Sequence, residues 1–221
     1  MLKDAHINIT SLRKIIQKKN KKTQIIAVTK NKTIKAVDSA LNNKIYIIGE
    51  NKIQETIIKF KNYSKRNKIE LHLIGHLQSN KTKKAVENYD VIETADSQKI
   101  INKINIEAKK KNKTQRIYLQ INVGKDPKKH GFFEEEIKNT CLNIKKHQHI
   151  KIEGVMTILP QKIDKENKKK LFLKTKTIQK TIQKNFFKDC VNISMGMSGD
   201  YELASKCGAT HIRIGTFLYG K

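Results

Sequence analysis

The stretch QIIAVTK, Gln24 to Lys30, is a β-branched, apolar run that stops at a lysine. Its apolar residues are continuous rather than alternating, which is the mark of a strand covered on both faces, as in a parallel sheet with helical crossovers. Seven more runs of this kind follow. They are KIYIIGEN (44–51), ELHLIGHL (70–77), VIETAD (91–96), RIYLQINVG (116–124), IKIEGVMTIL (150–159), NISMGM (192–197) and HIRIGTFLYG (211–220). The segments between them have helical spacing. TIKAVDSALNN puts Ile34, Val37 and Leu41 on one face. SQKIINKINIEAKKKN opens on Asp96 or Ser97 as a cap, and FFEEEIKNTCLNIKKHQ carries acid in its first turn and base near its end, as a helix dipole favours.

Eight strands alternating with helices predict an α/β fold, a single (β/α)8 barrel domain over residues 1–221 with an extra helix at about residues 5–20. An open doubly wound sheet competes with it, but that arrangement usually carries a glycine fingerprint after its first strand, and AVTKNKT has none. Two prolines and no Gly/Ser-rich linker leave no visible domain boundary.

The net charge of +27, from 47 basic and 20 acidic residues, raises nucleic acid or an anionic membrane as partners. Yet only Arg13, Arg66, Arg116 and Arg213 are arginine, the residue that base readout and phosphate clamps favour. The lysines are scattered in short runs such as KKNKK and AKKKNK, and no RNP aromatic motif is present. The excess reads as a solvated surface, and a lysine-rich RNA-binding role stands only as a third alternative. Cys141, Cys190 and Cys207 are odd in number, far apart and without a CxxC pair, which points to a reducing compartment rather than a zinc or disulfide framework. MLKDAHINIT breaks its apolar residues with charge by its third position, and no apolar run approaches the roughly 18 residues of a membrane span. A soluble, cytoplasmic chain is expected.

In a barrel, chemistry stands at the C-terminal strand ends. Those ends carry Lys30, Glu50-Asn51, Gly75-His76, Asp96, Asn122, Met156, Ser194 and Arg213-Gly215-Thr216. Place, not residue type, separates Lys30 from the surface lysines. A lysine amine at a barrel mouth forms imines with carbonyl compounds, and pyridoxal 5'-phosphate (PLP) is the most common partner. Such a site needs a phosphate cradle and a partner for the pyridine nitrogen. SMGMSGD (194–200) and RIGT (213–216) supply small-residue turns after strands 7 and 8, where barrels often hold phosphate, and Arg213 points into the mouth from the last strand. The bland readings stand beside these: His72 and His76 as hydrogen-bonded structural histidines, Met195 and Met197 as packing, Asp96 and Glu50 as a cap and a buttress of the mouth.

Six motifs in order then resemble the pyridoxal phosphate homeostasis protein family, relatives of the alanine racemase barrel (fold-type III). They are IIAVTK, IGENKIQE, LHLIGHLQSNK, LQINVG…HGF, GVMTILP and NISMGMSGDYELASKCGATHIRIGTFLYG. The resemblance implies Lys30 as the Schiff-base lysine and Asn51 beside the ring and its phenolic oxygen. It implies Ser194, Gly215 and Thr216 on the phosphate with Ser198 as a helper, and Arg213 facing the pyridine nitrogen; Met195, beside its packing reading, is the residue of the SMGMSGD turn whose backbone or side chain would contact the cofactor. It further implies a non-catalytic PLP carrier that sequesters the cofactor and supplies it to PLP-dependent apo-enzymes. The alternative is a racemase-like enzyme of weak activity. Racemases of this fold carry a C-terminal β domain and a second, tyrosine base, whereas this chain stops one residue after the YG of its eighth run, so a monomer without that domain is expected. The chain departs from the family in having no proline soon after Lys30, Ile48 where Phe is common, and MTILP near Met156.

Overall fold

Each apolar run gives way to a polar or glycine-containing connection, and in space the runs lie side by side. The computed structural model describes residues 9–160 and 162–220. Its strands are β1 (Gln24–Val28), β2 (Ile47–Glu50), β3 (Glu70–Leu73), β4 (Val91–Ala95), β5 (Gln115–Gln120), β6 (Ile150–Met156), β7 (Asn192–Met197) and β8 (His211–Ile214). All neighbours are parallel, and β1 pairs with β8 through Gln24↔His211 and Ile26↔Arg213, so the sheet closes in strand order 1 to 8. The predicted barrel is the observed fold.

The helices are α1 (Ile9–Lys19), α2 (Ile34–Asn42), α3 (Ile53–Phe60), α4 (Thr82–Asn88), α5 (Gln98–Lys110), α6 (Ile137–Ile144), α7 (Lys165–Asn185), α8 (Tyr201–Lys206) and α9 (Thr216–Tyr219). The extra N-terminal helix is present as α1, and the start expected for it near residue 5 lies outside the described residues. Ser97, not Asp96, caps α5, its hydroxyl accepting from the Ile100 N–H.

Several runs extend past their strands. QIIAVTK is strand only to Val28, which leaves Lys30 in the turn after it. HIRIGTFLYG is strand only to Ile214; the Gly215 carbonyl then accepts from the N–H groups of Leu218 and Tyr219, so Thr216–Tyr219 turns into α9. A short apolar run looks the same whether it is a buried strand or a covered helical turn.

The pleat sorts side chains into two layers. Ile25, Ala27, Ile48, Leu71, Leu73, Ile92, Ile117 and Leu119 belong to the main apolar cluster, which also contains Val37, Ala85, Ile101, Cys141 and Ile182 from the helices. The residues between them on the strands turn into the lumen, where Val91, Tyr118 and Met156 form a separate small cluster. The lumen is only partly apolar. His72, Glu93, Ser194, His211 and Arg213 are buried there too, and burying such groups is costly unless each is paired.

Candidate functional site

At the C-terminal mouth of the barrel a cavity of about 770 Å3 is lined by Lys30, Asn51, Ser198, Arg213, Gly215 and Thr216, with His76 at its edge. Tertiary structure thus brings these sequence-predicted residues to one place. Ser194 and Met195 do not line it. Met195 is fully buried in the layer between strands and helices. Ser194 lies in the lumen below the cavity, where its hydroxyl accepts from Arg213 (2.8 Å) and donates to Glu93 Oε2 (2.6 Å). Asn122 and Met156, also at predicted strand ends, take structural places. The Asn122 amide donates to the Asp126 and Lys129 carbonyls and folds the loop after β5, and Met156 fills the lumen.

Lys30 is exposed, but the backbone that carries it is pinned. Lys59, from α3, donates to the Thr29 carbonyl (2.7 Å) and to Glu50 Oε1 (2.6 Å), and the Thr29 hydroxyl donates to the same carboxylate oxygen (2.5 Å). Asn31 follows at φ 57°, a left-handed conformation that asparagine tolerates better than most residues. Glu50 is the buttress expected of it, and its partner is a lysine that sequence reading left among the surface lysines.

Arg213 is the other fixed charge. Its guanidinium donates to Ser194 and to the Thr157 carbonyl, both at 2.8 Å. Burial pulls its pKa down, and the Glu93 carboxylate offsets only part of that fall. From Glu93 a chain of close contacts runs down the lumen: His72 Nδ1 at 2.7 Å, His72 Nε2 to Glu70 Oε1 at 2.6 Å, and Glu70 Oε2 to Arg116 at 2.8 Å. Arg116 also donates to Glu153 at 2.6 Å. Burial alone would lower the His72 pKa, but the bonds to Glu70 and Glu93 outweigh it and raise the ring to about 9. Glu70, bonded to His72 and Arg116 against its own burial, is lowered to about 2. Burial and the neighbouring His72 cation lower His211 to about 4. Basic and acidic side chains therefore alternate down the lumen, with Arg213 at the upper end.

Comparison with known proteins decides the family. The family described as "Alanine racemase, N-terminal domain" matches residues 2–221. A pyridoxal phosphate homeostasis protein of Synechocystis sp. is 36% identical over 197 residues, 89% of this chain and 90% of that protein. The chain belongs to the pyridoxal phosphate homeostasis protein family. The mouse member is 32% identical over 90% of this chain and 76% of its own length. Among solved structures, PipY of Synechococcus elongatus with PLP bound superposes with a TM-score of 0.87 at 31% identity, covering 96% of this chain and 98% of that one. An alanine racemase of Clostridium difficile, 17% identical at a TM-score of 0.78 over 94% of this chain and 55% of its own, shares the fold.

Within this family frame the residues missed by sequence reading are Thr29, Lys59 and Glu93. Glu93 had a signal: a charge in the buried run VIETAD demands a buried partner. Lys59 had none. His72, read as a hydrogen-bonded structural histidine, is one, and its two carboxylate partners raise its pKa above the ordinary histidine value.

Gly75 ties the mouth together. A Cβ there would lie 2.2 Å from the Asn51 carbonyl oxygen and 2.7 Å from the Asn51 Cα, both backbone atoms that cannot swing aside. Gly75→Ala is expected to cost about 1–3 kcal/mol as an overpacking change. It should also displace Asn51 from the cavity wall. Urea unfolding reads the first effect, and a crystal structure of the variant reads the second.

Proposed function

We propose that this chain binds PLP at the Lys30 cavity and serves cellular homeostasis of the cofactor, holding it and releasing it to PLP-dependent apo-enzymes rather than turning over a substrate. The observation that carries this reading is the convergence of a lysine on a pinned turn and a buried arginine on one cavity of cofactor size. Two further features fit the group. Asn51 Oδ1 is buried without a partner among the described residues, in a cavity wall where a polar ligand atom could reach it. The backbone N–H groups of Ser198 and Gly199 donate to no acceptor among the described residues, and a Cβ at Gly199 would meet nothing within 4 Å. These open donors, with the Ser198 and Thr216 hydroxyls, suit a phosphate.

When bound, PLP supplies an aldehyde and an electron-accepting ring. In this reading the Lys30 amine would hold the aldehyde carbon. Asn51 would flank the ring, and Ser198, Gly199, Gly215 and Thr216 would hold the phosphate. Ser194 acts one step away by holding Arg213, instead of touching phosphate itself. Arg213 would face the pyridine nitrogen as a cation, which would disfavour a proton there and weaken the ring as an electron sink. That suits a carrier better than a racemase. Among the described residues no tyrosine lines the cavity to serve as a second base opposite Lys30.

The test is a titration of the purified chain with PLP, read by visible absorption, then borohydride reduction and peptide mapping. Uptake of one equivalent with the label on Lys30 is expected, and the loaded chain should restore activity to an apo-enzyme in trans. A colourless chain that takes up no PLP would overturn the reading. A label on another lysine would overturn the role of Lys30. Sedimentation of the loaded chain tests the monomer that accompanies the reading.

A further inference from the structure

Beside the Lys30 cavity, and sharing His76 with it, lies an open cleft of about 710 Å3. On its wall His76, Asp96 and His130 converge from the connections after β3, β4 and β5, at the same mouth of the barrel. One potential ligand atom from each lies within 4.8 Å of the others. Asp96 Oδ2 is 3.0 Å from His76 Nδ1 and 3.8 Å from His130 Nδ1, and the imidazoles stack with centroids 3.8 Å apart and planes 12° from parallel. We propose that His76, Asp96 and His130 form a site for one divalent transition-metal ion of the zinc type.

The chemistry of the donors selects the ion. Two imidazoles and one carboxylate suit zinc and its neighbours, whereas calcium and magnesium prefer all-oxygen shells. Bonds of about 2.0–2.2 Å in tetrahedral geometry set ligand atoms roughly 3.3 Å apart, and the two Asp96 separations, 3.0 and 3.8 Å, bracket that value. Binding requires the stacked rings to fan apart about their Cβ–Cγ bonds. At 43% and 60% exposure both side chains have room to do so, while Asp96, at 5%, is held in place beside them.

Hydrogen bonding alone does not account for the cluster. Asp96 Oδ2 bonds His76, but His130 Nδ1 lies 3.8 Å from the same oxygen, beyond hydrogen-bond reach. In a chain with a net charge of +27, no lysine or arginine among the described residues forms an ion pair with Asp96. Its carboxylate is kept for imidazoles. The loop that carries His130 is also built to a fixed shape. The Gln120 amide donates to the His130 carbonyl (2.9 Å), and Gly131 sits at φ 122°, where a Cβ would strike the Gln120 carbonyl and the Asn122 N–H nitrogen at 2.9 Å. His76 follows Gly75, whose carbonyl accepts from the Thr94 hydroxyl at 2.8 Å. Three ligands leave a position open toward the cleft for water.

The site does not depend on the PLP reading, so its test is run on chain stripped of any aldehyde cofactor as well as on chain as purified. Calorimetric titration with ZnCl2 should show one saturable site that a chelator empties. Co2+ loading should give the visible absorption of a histidine-ligated ion. His130→Ala and Asp96→Asn should each weaken Zn2+ binding at least about tenfold, the minimum expected from altering even an outer shell. His147→Ala, on a ring bonded instead to Asn102, should leave it unchanged. Absence of saturable Zn2+ uptake, or uptake equal in wild type, His130→Ala and Asp96→Asn, would overturn the assignment. Should Asp96→Asn fail to fold, His130→Ala and His76→Ala, both at exposed positions, decide the question.

Discussion

Lys30→Ala is expected to remove all borohydride-trappable PLP from the chain while leaving the fold as it is. Lys30 is exposed, donates to no acceptor among the described residues, and lies past the end of β1, so its truncation belongs with surface changes worth within about 0.5 kcal/mol. The loss of covalent cofactor should be complete. Neighbouring Lys32 and Lys59 do not replace it: Lys32 donates to the Tyr219 carbonyl, and Lys59 is held by Thr29 and Glu50. The measurement is reduction of PLP-loaded wild type and variant followed by mass analysis, with urea unfolding alongside. Residual non-covalent PLP in the variant is compatible with the site, since Ser198, Arg213 and Thr216 still line the cavity. Covalent PLP at wild-type level would show that another lysine carries it.

The second large effect concerns Glu93, which touches no part of the cavity. Glu93→Ala is expected to destabilise the chain by about 3–5 kcal/mol, the cost of leaving buried charges without their counter-charge. Glu93 is fully buried, bonded to both His72 and Ser194, and Arg213 relies on Ser194 for one of its bonds. The wild type should also lose stability at alkaline pH. The His72 pKa rises from 6.5 to about 9 on folding, so its contribution is whole below pH 6.5 and fades as pH climbs to 9. Glu70, lowered from 4.5 to about 2, contributes in the opposite sense: its share is present above pH 4.5 and fades as pH falls toward 2. Glu93→Gln, which removes the charge and keeps the shape, should flatten the alkaline limb because His72 then loses one of the two carboxylates that hold its proton. Urea midpoints at pH 6.5 and pH 9 for wild type and Glu93→Gln check this. An unchanged alkaline limb in the variant would mean that Glu93 does not sustain the His72 charge.

The same network bears on PLP binding in the proposed reading. An arginine beside a pyridine nitrogen is useful only if its position and charge are constant, and both are set from below the cavity by Ser194, Glu93 and the Thr157 carbonyl. Conserving the volume of Glu93 while removing its charge should therefore alter the absorption of bound PLP as well as stability. Lys59 and Glu50 do for Lys30 what Glu93 and Ser194 do for Arg213. Each half of the site rests on a buried carboxylate outside the cavity lining, Glu50 paired with Lys59 and Glu93 paired with His72.

Sequence by itself determined the barrel and most of its rim. Strand count, helical spacing between strands and continuous apolar runs depend on local side-chain pattern, and local pattern is what a chain displays directly. Lys30, Asn51, Arg213, Gly215 and Thr216 were legible because barrels place chemistry at strand ends and because the motifs around them are specific. Tertiary structure alone decided which way the pleat turned Ser194 and Met195. It put one below the cavity and the other into the helix layer, and a register position cannot be read from residue type. Tertiary structure alone also chose Lys59 from among so many lysines, and set His130 beside His76 and Asp96 across three connections. Pairings between charges distant in sequence are made by chain closure, and a lysine carries no mark of the carboxylate it will meet until the barrel has closed.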